Sequence, residues 1–286
     1  MTAALVPAGD TALHVVERGS GHALFVLHGE PGDHHMFADY LDPLAARYRL
    51  LLTDLRGHGL SAETDPETCT LAQMALDVSA VADSLGLASY SVLGHSMGSF
   101  VALQHAVDQP GAATTTIASS GVPALRWLDR AVAVLESFEP EDLRAQILSS
   151  IARESTAQTP DEVTALMRDQ LPVHFADPRD PRIADYAERT ATSVYRPDTL
   201  RHLAATGYGS IDVEARLGSI TQPVLVLAGA VDRICPPAAS EAIAAGAPRG
   251  ELVLLQQSGH FTFVEENERY LAAVADFLDR HTEEQP

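Results

Sequence analysis

Five residues, Gly94-His95-Ser96-Met97-Gly98, constrain this chain more than any others. They follow an apolar run, Tyr90-Ser91-Val92-Leu93, and lead into another, Phe100-Val101-Ala102-Leu103. A serine with glycines at i−2 and i+2, between a strand and a helix, is the pattern of a nucleophile elbow. Lifting a hydroxyl clear of a sheet edge needs a tight, strained turn. A Cβ on either flank would collide with neighbouring backbone. The string alone is a weak signal, so its setting and its partners must carry the argument.

The setting is an alternation of short apolar runs with longer helical patterns, which predicts an α/β fold with a mostly parallel sheet flanked by helices. Leu13 to Glu17, Leu24 to Leu27 and Leu50 to Thr53 read as strands, the last followed by the glycine-rich loop Asp54-Leu55-Arg56-Gly57-His58-Gly59. Thr70-Leu71-Ala72-Gln73 has the form of a capping box opening a helix with Leu71, Met74, Ala75, Val78, Val81 and Leu85 on its apolar face. The elbow strand and helix come next, then a strand around Thr114 to Ala118. From about Pro123 to Ile220 strand signals nearly vanish. Leu143, Ile147, Leu148 and Ile151 mark one amphipathic helix there. Val163, Leu166, Met167 and Leu171 mark another, introduced by the capping sequence Thr159-Pro160-Asp161-Glu162. Alternation returns with Pro223 to Leu227 and Glu251 to Leu255, before a C-terminal helix with Leu271, Val274, Phe277 and Leu278. The division expected is a core of residues 1–122 and 221–286, with a helical lid, or cap, over 123–220.

With 286 residues the chain can bury a large core. The formal charge of −20 argues against nucleic-acid partners and anionic membranes. All nineteen basic residues are arginine, so a lysine Schiff base and a P-loop lysine are both excluded. Cys69 and Cys235 stand far apart without metal-ligand spacing. No signal-peptide pattern or membrane-length apolar run is read, so a cytoplasmic monomer or homodimer acting on a small molecule is expected.

A serine hydroxyl needs a base within reach, and the base needs a carboxylate to fix its tautomer. Asp232 follows the strand Val224 to Leu227, and His260 follows Leu252 to Leu255. Both stand past strand C-terminal ends, where open α/β sheets place their sites. The order Ser96, Asp232, His260 differs from those of chymotrypsin and subtilisin. An oxyanion hole would take one N–H from Met97 and the other from Glu30, in the loop His28-Gly29-Glu30-Pro31-Gly32.

With these motifs in order, the sequence resembles the α/β-hydrolase superfamily, in particular its lid-bearing serine hydrolases of the proline iminopeptidase and epoxide hydrolase type. The resemblance rests on His-Gly-x-Pro at 28–31, Asp-x-Arg-Gly-x-Gly-x-Ser at 54–61, the elbow, Asp232 and His260. It implies Ser96, Asp232 and His260 as a triad, a Glu30-Pro31 bond that is often cis, and no cofactor or metal. The implied activity is cleavage of an ester, lactone, thioester or small amide through an acyl-enzyme. An iminopeptidase-like aminopeptidase, or a lyase, cyclase or acyltransferase on the same scaffold, is the alternative. Glu30, Arg56 and Arg233 depart from the iminopeptidase pattern, whereas Phe261-Thr262-Phe263-Val264-Glu265-Glu266 resembles its tail. His-Gly-Glu-Pro also resembles haloalkane dehalogenases, but a serine cannot form their hydrolysable alkyl ester, so dehalogenation is rejected.

Several residues remain open on sequence alone. The Glu30 carboxylate either faces the substrate or turns outward to an arginine. His34 and His35, as neighbours on a helix, are expected to point apart rather than share a metal. His58 and His95 read as packing or hydrogen-bonding residues, Asp54 as a brace for its loop, and Cys235 as structural. Phe261 and Trp127 are candidates for contact with substrate, and Phe138, Met167 and Tyr195 for the pocket wall.

Overall fold

The computed structural model describes residues 2–282, and within these the side chains of 130–133 are left aside. Eight strands form one sheet in the order β1-β2-β4-β3-β5-β6-β7-β8. They are β1 (Thr2–Ala8), β2 (Thr11–Arg18), β3 (His22–Leu27), β4 (Tyr48–Thr53), β5 (Tyr90–His95), β6 (Thr116–Ser119), β7 (Val224–Gly229) and β8 (Gly250–Leu255). The β1–β2 and β2–β4 pairs are antiparallel and the others parallel, the mostly parallel α/β sheet expected from the sequence.

Strand alternation divides the core. Phe25, Leu27, Leu51 and Val92 face helices α1 (Leu71–Ser84), α2 (Met97–Asp108) and α8 (Pro237–Gly246). Leu24, Val26, Leu50, Leu52 and Leu93 face the opposite way, onto Val274, Phe277 and Leu278 of α10 (Asn267–Thr282). The elbow strand is therefore buried on both faces, which fixes its register and the position of the turn that ends it.

Between β6 and β7 the chain inserts α3 (Asp129–Glu136), α4 (Glu141–Arg153), α5 (Pro160–His174), α6 (Arg182–Arg189) and α7 (Pro197–Ala205). Thr159 caps α5 through the reciprocal box with Glu162. At α1, Thr70 accepts the Gln73 N–H, but the Gln73 side chain turns to Asp77 and the box does not close. The short α9 (Thr262–Glu265) follows the His260 loop.

Candidate active site

The elbow is built by exclusion of side chains. Ser96 has φ +55° and ψ −123°, a conformation that costs a non-glycine residue free energy. A Cβ on Gly94 would strike the Gly98 carbonyl, and one on Gly98 the Leu27 carbonyl. The turn is pinned by the Ser96 N–H, which donates to Ser119 at 2.9 Å. A Cβ on Gly29 would stand 2.8 Å from that of Ser96, so glycine lets the β3 loop close onto the serine.

His260 Nδ1 lies 2.8 Å from Asp232 Oδ2. A carboxylate at this contact accepts, so Nδ1 carries the proton and Nε2 is left with a lone pair. Asp232 Oδ1 accepts the Ile234 and Cys235 N–H groups at 2.8 and 2.9 Å, which fixes the carboxylate plane. The His260 N–H donates to the His174 carbonyl at 2.7 Å, and its carbonyl accepts from Ser120 Oγ at 2.8 Å. Ser96 and His260 line one cavity, but no direct hydrogen bond joins Oγ to Nε2 here. Such contacts often tighten only when substrate binds.

The Glu30 and Met97 N–H groups donate to no protein acceptor among the described residues. Glu30 precedes a cis bond to Pro31. Its side chain neither turns outward nor meets an arginine, which corrects one of the two sequence readings. It is 4% exposed and bonded to Nε2 of His58, itself 2% exposed. Because His58 Nδ1 donates to the Arg56 carbonyl at 2.8 Å, the contact places protons on both ring nitrogens. Burial pushes His58 down, but the Glu30 carboxylate, with the Arg56 carbonyl and Asp54, outweighs it and raises the imidazole overall. Glu30 Oε1 remains buried without a partner.

The cavity has a volume of about 560 Å³. Its wall includes Glu30, Phe261, Met167 and Tyr195. Trp127 is a correction: it lies off this wall, with Nε1 donating to Glu214 at 3.1 Å and Arg126 4.6 Å from its ring. Phe138 instead packs with Leu135, Ile147 and Val173. Polar groups that sequence reasoning missed also reach the wall. Glu154 accepts from Gln170 at 2.7 Å and from Tyr208, and burial raises its carboxyl above the usual range. Tyr208 is held by a backbone with φ +52°.

A family profile described as the alpha/beta hydrolase fold matches residues 22–267. The protein belongs to the α/β hydrolase fold family. It is a hydrolase of this fold. It is similar to the AB hydrolase superfamily protein YisY of Bacillus subtilis, 28% identical over 93% of this chain and 94% of that one. It is 25% identical to a proline iminopeptidase of Lactobacillus delbrueckii subsp. bulgaricus, over 97% of this chain and 98% of that one. A solved α/beta fold family hydrolase of Bacillus anthracis superposes with a TM-score of 0.79 at 20% identity, covering 96% of this chain and 98% of its own.

In this α/β hydrolase the other titratable residues serve mainly as braces. Asp54 accepts the His34 N–H and Nδ1 on one oxygen, and His14 Nδ1 and the Leu60 N–H on the other. His34 and His35 do not point apart as expected, because a short 3-10 turn brings their rings to 3.9 Å. Their Nδ1 atoms diverge, to Asp54 and Asp33 respectively. His14, His34 and Asp54, or Asp33, His34 and His35, are close enough to hold an ion, though their carboxylates already take N–H donors. Arg56 makes a bidentate pair with Asp77 at 2.7 and 2.8 Å. The Cys235 thiol lines the cavity, but burial pushes it well above the ordinary value, which makes it a poor nucleophile. Among the described residues no helix is long and apolar enough to cross a membrane.

Proposed function

We propose that the protein is a serine hydrolase that cleaves an acyl bond through an acyl-enzyme. The observation that carries this reading is the 2.8 Å contact of His260 with Asp232 on the wall that also holds Ser96. Ser96 Oγ attacks the acyl carbon while His260 Nε2 takes its proton and delivers it to the leaving group. Asp232 stabilises the imidazolium. The charge on the tetrahedral oxygen is received by the Glu30 and Met97 N–H groups, which have no competing protein acceptor among the described residues. Water then cleaves the acyl-enzyme. The helices α3 to α7, over residues 123–220, serve as a lid that encloses a small, largely apolar substrate.

A second reading is favoured by one observation. Glu154 is a buried carboxylate on the cavity wall, and among the described residues no basic side chain is hydrogen-bonded to it. An acyl group bearing a protonated amine, as in an iminopeptidase substrate, would supply the missing cation. Turnover of p-nitrophenyl esters, lactones and prolyl anilides by wild type and Ser96→Ala tests both readings. Ester or lactone preference supports the first, anilide preference supports the second, and no Ser96-dependent turnover contradicts both.

A further inference from the structure

His174 is the last residue of α5, and its ring lines the cavity beside His260. Three contacts hold it. Nδ1 lies 3.0 Å from the Gln170 carbonyl, one turn back along α5. Its face stacks on Phe261, with centroids 4.9 Å apart and planes 10° from parallel. Its carbonyl accepts the His260 and Phe261 N–H groups at 2.7 and 3.3 Å, so the two histidines are fixed relative to each other.

A carbonyl only accepts, so Nδ1 carries the proton and Nε2 is a bare lone pair. Nε2 makes no hydrogen bond to the protein among the described residues. Burial, with the neighbouring His260, pushes the imidazole down to about 3, and the ring stays neutral through the ordinary pH range. The His174 and His260 ring centroids are 5.4 Å apart. A water bonded to two nitrogens spans up to about 6 Å between them.

We propose that His174 Nε2 and His260 Nε2 together hold the water that cleaves the acyl-enzyme. The inference rests on the serine-hydrolase reading and adds a catalytic residue to it. One water proton is hydrogen-bonded to His260 and the other to His174, which leaves an oxygen lone pair for the acyl carbon. As the new C–O bond forms, His260 takes its proton. The tetrahedral intermediate then breaks the bond to Ser96 Oγ, and His260 returns the proton to that oxygen. The products are the free acid and the serine hydroxyl. His174 keeps its hydrogen bond throughout and changes no charge. Methanol offers a contrast, because it has one hydroxyl proton, which goes to His260, and needs no second acceptor.

The test is a stopped-flow assay with p-nitrophenyl acetate, with and without methanol, on wild type and His174→Phe. Phenylalanine keeps the stack on Phe261 and removes Nε2. The expected result is a burst of wild-type amplitude and rate, and hydrolysis of the acyl-enzyme slower by about tenfold or more. Methanolysis is retained, so the ratio of methyl acetate to acetate rises by the same factor. His174→Gln, which restores an acceptor oxygen, returns the ratio toward wild type. If His174→Phe does not fold, His174→Leu supplies the same readout. A Ser96-dependent burst with an unchanged product ratio overturns the role of His174 and leaves the hydrolase reading standing. No Ser96-dependent release of p-nitrophenol by wild type overturns both.

Discussion

Glu265 Oε2 accepts the Gly259 N–H at 2.6 Å, one residue before His260. Its Oε1 accepts the Ala176 N–H at 2.8 Å, so one carboxylate joins the histidine loop to the helical insertion. Glycine is required at 259, where a Cβ would stand 2.6 Å from the His174 carbonyl oxygen.

This strap should respond to pH. Burial raises the Glu265 carboxyl from 4.5 to about 7, while the two N–H donors and Arg182 pull the other way. The folded protein then holds a proton that the unfolded chain releases at lower pH. The resulting stability is full below 4.5 and is lost as pH rises through about 7. Thermal unfolding of wild type and Glu265→Gln should show a wild-type advantage that is larger near pH 5 than near pH 8. An advantage that grows with pH would contradict the assignment.

The Glu30–His58 pair joins the loop after β3 to the glycine-rich turn after β4. Removing one partner leaves the other charge buried and uncompensated. His58→Leu should therefore cost about 3–5 kcal/mol in urea unfolding. Adding Glu30→Gln should recover a large part of that loss. Additive losses in the double variant would show that the two side chains do not act as a pair.

Arg233 donates to the Phe175 and Ala176 carbonyls at 2.7 and 3.0 Å, beside Asp232. Arg233→Ala leaves both oxygens without that donor and should destabilise by about 2 kcal/mol. Limited proteolysis should then cut near residues 174–181 sooner than in wild type. Unchanged cleavage there would remove the role given to Arg233 in seating the insertion.

Asp232→Asn replaces the acceptor that keeps the His260 proton on Nδ1. A side-chain amide can donate to Nδ1 instead and stabilise the wrong tautomer. The kcat for a p-nitrophenyl ester should fall by about 10⁴-fold, with little change in melting temperature. A loss below tenfold would argue against Asp232 as the orienting acid.

Much of the sheet was legible because its central strands are continuous apolar runs that only a doubly covered sheet can bury. β1 was missed because Thr2–Ala8 is an edge strand, exposed over its first four residues and containing Pro7. α8 was missed because its alanine-rich sequence buries only Ala239, Ser240 and Ile243 and shows no sharp apolar stripe. At the site, Ser96, Asp232 and His260 could be singled out because each follows a strand. The Glu30–His58 contact joins two loops 28 residues apart, and no local pattern encodes it. Gln170 and His174 lie on the amphipathic helix α5, and Glu154 on the short 3-10 turn after α4, where a polar residue reads as solvent-facing unless the cavity behind it is known. Trp127 shows the converse, an aromatic in the insertion whose partner is Glu214 rather than the cavity.

The most direct test is Ser96-dependent turnover of the ester that wild type cleaves best, measured with Ser96→Ala. The expected result is a loss of at least about 10⁴-fold, with the variant folded and melting as wild type does. Turnover by Ser96→Ala within tenfold of wild type would contradict a serine nucleophile at this elbow.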